Sequence, residues 1–214
     1  MAGLTGAIVV LAALTAIWAA RATLTHWVYV SELGADGAPT ARVFAVALLA
    51  VAAGGVCVAF AAGAVRAGNR ALGAWPVAAT IAASAICFFV ASQVTCTNSC
   101  PVPFVNPRSE PQDLVHIVFA VLGFALGCYA MLQCAFVRGN VVVLRMSMVA
   151  CVAVATITIV GGLLAIVHVA VELGAAAEYA GMTIAIGWLA TLGIMLGLAT
   201  PSGTPSSAAQ TRSE

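Results

Sequence analysis

Six runs of predominantly apolar residues, at 4–29, 43–65, 74–94, 114–137, 143–171 and 180–200, alternate with short polar segments along the chain. A helix that crosses the ~30 Å hydrocarbon core of a bilayer needs about 20 such residues. None of the runs gathers its apolar positions on one face, and a helix that is apolar all round belongs in a core or in lipid. The pattern predicts an all-α, polytopic transmembrane bundle of six helices over residues 1–200, with no room left for a soluble domain. Residues 201–214 are rich in Ser, Thr, Ala and Pro without periodicity, and are expected to form a disordered cytoplasmic tail. The first run ends in small residues, as a secretory signal does. No basic segment precedes it, however, and its pattern continues through Arg21 to Trp27 and Tyr29, so it reads as a retained helix.

Composition narrows the function classes. Of 214 residues, 63% are hydrophobic and only 7% charged, whereas soluble domains carry about 25% charged residues. An ordinary soluble enzyme is excluded. A net charge of +1 with no basic stripe also excludes a nucleic-acid partner. The loop arginines then set the orientation. With the N-terminus cytoplasmic, Arg66, Arg70, Arg138, Arg145 and Arg212 lie inside, and Arg21, Arg42 and Arg108 lie outside. Both termini are therefore expected in the cytoplasm.

Under that topology the histidines His26, His116 and His168 share the outer side with Glu32, Asp36, Glu110, Asp113, Glu172 and Glu178. Asp113 and His116 are spaced i, i+3, and His168 and Glu172 are spaced i, i+4, each pair on one helix face. Two readings compete for this cluster. In one, His26, Asp113, His116 and His168 hold a zinc ion whose bound water attacks an ester or amide. In the other, the groups sit at the interface, reach water and pair with neighbouring arginines. A bis-histidine haem is a third use, and needs two imidazoles facing each other at one depth. Arg21 and Arg42, with Glu32 and Glu172, form a second candidate set. They either pair as ions or offer a bidentate guanidinium grip to a lipid headgroup.

Cysteines divide by location. Cys57, Cys87, Cys128, Cys134 and Cys151 fall inside apolar runs, where Cys acts as a small hydrophobe. Cys96 and Cys100 lie in an outer loop with Pro101, Pro103, Pro107 and Pro111, where an oxidising exterior favours a structural disulfide. A redox-active pair is the alternative, although the spacing is not the two-residue one of common thiol oxidoreductases. Gly123…Gly127 and Gly193…Gly197 are small-xxx-small patterns that let helix backbones approach closely. Glu32-Leu33-Gly34-Ala35 recurs as Glu172-Leu173-Gly174-Ala175, which reads as two similar helix exits with glycine stops.

The segment YVSELGADGAPTARVF at residues 29–44 resembles the first outer loop of a six-span bacterial membrane family of unknown function. That family is distantly similar to the DRAM/Frag/Sfk group. The Cys96…Cys100-Pro101 loop followed by Asp113-Leu-Val-His116 is similar to the family's second outer loop and fourth helix. The resemblance implies six helices, both termini inside the bacterial cell membrane, and pattern positions at Glu32, Gly34, Pro39, Asp113 and His116. It implies no reaction, and leans the expected role toward lipid. The sequence thus leads to a multi-pass membrane protein that binds a lipid or a partner membrane protein through its outer face. A zinc-dependent intramembrane hydrolase is the alternative, and a haem-binding or transport protein stands behind it.

Overall fold

The computed structural model describes residues 1–103, 105–167 and 170–199. His168 and the 201–214 tail lie outside the described residues. Among those described the chain is helical: α1 (Ala2–Ala22), α2 (Ala41–Ala61), a one-turn α3 (Arg70–Gly73), α4 (Val77–Gln93), α5 (Pro111–Cys134), α6 (Val141–Val167) and α7 (Val171–Leu198). A 3-10 turn, Ser31–Gly34, sits between α1 and α2. Five helices (α1, α2, α5, α6 and α7) are long and apolar enough to cross a membrane, and α4 is apolar but 17 residues long.

Local chemistry sets several boundaries. α5 begins with Pro111 at its first turn, where a missing N–H costs nothing. A reciprocal capping box closes that end, with the Glu110 and Asp113 side chains each taking the other's backbone N–H. α1 stops at Ala22, short of the expected residue 29. The Thr23 hydroxyl bonds back to the Ala20 carbonyl at 2.7 Å, and the Arg21 guanidinium takes the Leu24 carbonyl at 3.0 Å. The last turn tightens to i, i+3 bonds, Thr23 N–H to the Ala20 carbonyl at 3.2 Å and Leu24 N–H to the Arg21 carbonyl at 3.1 Å, and the helix ends there. α7 differs in the other direction. It starts at Val171 and not near residue 180, so Glu172-Leu173-Gly174-Ala175 is the first turn of a helix and not a helix exit. Gly174 serves packing there, because a Cβ would meet the Tyr29 hydroxyl at 2.7 Å.

The long helices form a closed ring. α1 packs on α2, α2 on α4, α4 on α5, α5 on α6 and α6 on α7, and α7 returns to α1. Close backbone approach closes the circle: a Cβ on Gly193 would meet the Gly3 carbonyl at 2.7 Å, and one on Gly6 would meet the Gly54 carbonyl at 2.7 Å. The faces turned away from the ring are apolar, with Phe60 78% exposed, Ile8 69% and Val149 69%. Exposed apolar surface on that scale in one chain calls for a lipid or protein environment. Two polar pairs cross between helices inside the ring. The Ser84 hydroxyl donates to the Gly123 carbonyl at 2.7 Å, and Trp188 Nε1–H donates to Ser147 Oγ at 2.9 Å.

The two ends of the ring differ. At one, the loops after α2 and after α5 touch through an isolated bridge between Ala67 and Val137. The buried Gln133 amide donates there to the Leu72 and Trp75 carbonyls. This end carries Arg66, Arg70, Arg138 and Arg145. The opposite end holds the disulfide loop, the 3-10 turn and the acids.

Candidate functional site: a capped apolar cavity

A cavity of about 110 Å³ runs inside the ring. Its lining on α5 extends from His116 to Met131, a separation of 15 residues or about 22 Å of helix. A small volume spread over that length makes the cavity long and narrow. The middle is apolar, with Phe44, Phe88, Phe124, Met182 and Leu189 on its walls. The polar lining includes Ser31, His116 and Glu178 at the acidic end and Ser84 midway.

Three segments, 31–40, 95–100 and 110–113, are bonded together into a cap at that end. The Cys96 carbonyl accepts the Asp36 N–H at 2.8 Å, and Thr95 and Gln112 donate to the Asp36 carboxylate at 2.6 and 3.0 Å. Those two donors hold the Asp36 carboxyl below the usual carboxylate range. Asp113 is fully buried. Its carboxylate accepts the Thr97 N–H at 2.6 Å, the Thr97 hydroxyl, and the Glu110 N–H at 2.7 Å. The Thr40 hydroxyl fastens the Leu33 carbonyl at 2.8 Å. Cys96 and Cys100 form a disulfide.

His116 stands one turn below Asp113, and its ring meets the end of α4. Nδ1 lies 2.7 Å from the Val94 carbonyl and 3.1 Å from the Ala91 carbonyl. Carbonyls only accept, so Nδ1 carries a proton, and in the neutral ring the lone pair is on Nε2. A His116 ring nitrogen and the two cysteine sulfurs lie within 4.8 Å of one another. Cys96 Sγ is also 3.7 Å from the Ser31 carbonyl oxygen, and Ser31 and His116 both line the cavity. The disulfide therefore abuts the cavity's polar end.

The remaining candidates gather on the α1–α7 side of the same end. Arg21 lies 4.3 Å above the Trp27 ring, and the Tyr179 ring contacts Trp18 and Trp27 at 5.2 and 5.7 Å between centroids. Arg21 Nε and the Tyr29 and Tyr179 hydroxyls are buried without a hydrogen-bond partner among the described residues. One oxygen of Glu178 accepts the Val30 N–H at 2.7 Å, and one of Glu32 accepts the Tyr29 N–H at 3.1 Å. Burial pushes the Glu32 carboxyl up, against the lowering influence of the Tyr29 amide and of His26. Burial and the Glu178 and Glu32 carboxylates likewise raise the Tyr29 phenol. His26 is exposed beside Thr25, Arg42 is exposed at the start of α2, and Glu172 is exposed in the first turn of α7.

Of the four zinc candidates, the structure brings Asp113 and His116 onto one face of α5. His26 lies with Glu32 on the other side of the cap, and His168 is outside the described residues. Among the described residues, the group with metal-ligand spacing is Cys96, Cys100 and His116, and the disulfide occupies both of its sulfurs.

Glu178, Tyr179, Ser31 and Thr97 were not singled out by the sequence. Glu178 carried a signal nonetheless, as an acid beside an apolar run, where ionisable groups are costly. Comparison of the chain with known protein families, with characterised proteins and with solved structures finds no match.

Proposed function

We propose that the protein is a six-span protein of the bacterial plasma membrane, with both termini cytoplasmic, that takes one lipid chain into its central cavity and keeps the lipid's polar head at the outer face. The observation that carries this reading is the cavity, narrow and about 22 Å long by helix rise, apolar in its middle and polar at one end. That shape and polarity suit a single acyl or isoprenoid chain, and a globular polar substrate has nothing to bond to along it.

Four observations support the finer claims. α4, at 17 residues, is at the short limit for a span but within it. Arg66, Arg70, Arg138 and Arg145 share one end, which favours that end as cytoplasmic. A disulfide at the opposite end suits an oxidising exterior. Arg21 Nε and the Tyr29 and Tyr179 hydroxyls, buried without a partner among the described residues and just outside the cavity lining, add polar character to the end that holds Glu178. Left bare, each such buried group costs about 1–3 kcal/mol.

The test is to fill the cavity. Gly127 lines it, and a Cβ there would come no closer than 3.8 Å to a neighbour, the Ser84 hydroxyl. Gly127→Leu therefore adds its side chain to empty space. Wild-type protein extracted in mild detergent is expected to carry stoichiometric lipid by mass spectrometry. Gly127→Leu is expected to lose most of that lipid while keeping the wild-type elution volume. Equal lipid content in the two proteins would refute the cavity as the binding site.

A further inference from the structure

We propose that Cys96, Cys100 and His116 form a redox centre that oxidises extracytoplasmic dithiols and delivers the electrons to a quinone whose isoprenoid chain occupies the cavity. This deepens the lipid-binding reading and rests on it, because it names the lipid's head as a two-electron acceptor. A buried structural crosslink needs no base beside it and no access to a lipid site. This disulfide has a base beside it, a ring nitrogen of His116 within 4.8 Å of its sulfurs, and it stands one residue back from the cavity, behind the lining residues His116 and Ser31, whose carbonyl is 3.7 Å from Cys96 Sγ.

The two sulfurs are not equivalent. Cys96 is fully buried and faces Ser31, whereas Cys100 retains 8% exposure beside the exposed Asn98 and Ser99. Ser99 and Cys100 both adopt left-handed backbone, with φ of 65° and 45°. Non-glycine residues reach that region at a cost, of order 1 kcal/mol or more each.

The chemistry balances without any further reagent. A thiolate of the external dithiol attacks Cys100, the Cys96–Cys100 bond breaks, and Cys96 leaves as a thiolate. The dithiol's second thiol then displaces Cys100, leaving a disulfide on the substrate and two thiols on the protein. With Nδ1–H held by the Val94 and Ala91 carbonyls, the base proposed for the Cys96 thiol proton is the other nitrogen of the His116 ring, one of whose nitrogens lies within 4.8 Å of both sulfurs. The Cys96 thiolate attacks the quinone ring, and Cys100 then displaces it, which restores the protein disulfide. The sulfur–carbon electron pair and two protons stay on the quinone, which leaves as hydroquinone. The sum is dithiol plus quinone giving disulfide plus hydroquinone. Asp113 and Thr97 are positioning residues, because they fix the loop that presents both sulfurs.

Full-length protein in lipid nanodiscs, supplied with decylubiquinone and dithiothreitol without oxygen, tests both layers. Quinone binding is read from quenching of Trp188, which lines the cavity, against a Trp188→Phe control. Turnover is read from hydroquinone absorbance above a nanodisc blank. The expected result is quenching together with turnover. Cys96→Ala/Cys100→Ala should abolish turnover with quenching retained, and His116→Ala should lower turnover by about 100-fold with quenching retained.

Quenching without turnover, or turnover that survives loss of both cysteines, overturns the redox centre and leaves the lipid cavity standing. Absence of quenching, with Gly127→Leu indistinguishable from wild type in lipid content, overturns both. Should the double variant not fold, thiol trapping of wild-type protein decides. After reduction by dithiothreitol, Cys96 and Cys100 are expected to reoxidise on adding quinone. Thiols that stay reduced overturn the proposal.

Discussion

Asp113 ties the disulfide loop to the start of α5. It is fully buried, and its two oxygens satisfy the Thr97 N–H, the Thr97 hydroxyl and the Glu110 N–H. Asp113→Asn replaces one acceptor with an NH2 group that faces donors. It is expected to destabilise the protein by about 1–3 kcal/mol, read as a lower unfolding midpoint in detergent and faster reduction of Cys96–Cys100. Glu32 works in the opposite sense. Burial raises its carboxyl, so ionisation costs the folded state at neutral pH and costs nothing well below the ordinary Glu value of ~4.3. Glu32→Gln keeps an oxygen for the Tyr29 N–H and removes the charge. Its unfolding midpoint is expected above wild type at pH 7, with the difference shrinking as pH falls through the Glu range toward pH ~3, and a lower midpoint at pH 7 would contradict this account. Both residues stood out in the sequence, as acids near histidines at helix ends. Their partners did not, because Thr97 and Tyr29 reach them through loop backbone that no periodicity describes.

Helices show the same division between what periodicity reveals and what it hides. Five of the six apolar runs reappear as helices long enough to span, and the sixth as α4. Which face of each helix turns inward was illegible, since a run apolar all round carries no facing signal. The cavity was therefore invisible in the sequence, and so was the reach of α7 back to Val171. Glu172 and Gly174 read as loop residues until Tyr29 is seen packed on Gly174. Small residues decide where the ring closes. Gly193→Leu would push its side chain into the Gly3 carbonyl, only 2.7 Å from an added Cβ. It is expected to part α1 from α7, seen as faster proteolysis and a larger elution volume shift than Gly127→Leu. Wild-type behaviour of Gly193→Leu would show that the α1–α7 seam is not needed.

At the scale of the whole molecule, the 7% of charged residues are sorted rather than scattered. Four arginines, Arg66, Arg70, Arg138 and Arg145, collect where the α2–α3 and α5–α6 loops meet, while the described acids and histidines and the disulfide collect around the cap together with Arg21, Arg42 and Arg108. Between the two ends lies an apolar ring with a narrow cavity, whose ionisable lining, His116 and Glu178, is at the capped end. A lipid chain in that cavity, with its head under the cap, is the central claim. An experimental density map of the protein in lipid nanodiscs tests it most directly. The account predicts continuous, elongated non-protein density from beside His116 toward Met131, with a bulkier head near Glu178 or the Cys96–Cys100 disulfide. A cavity closed by its own side chains, or one containing water alone, would contradict it.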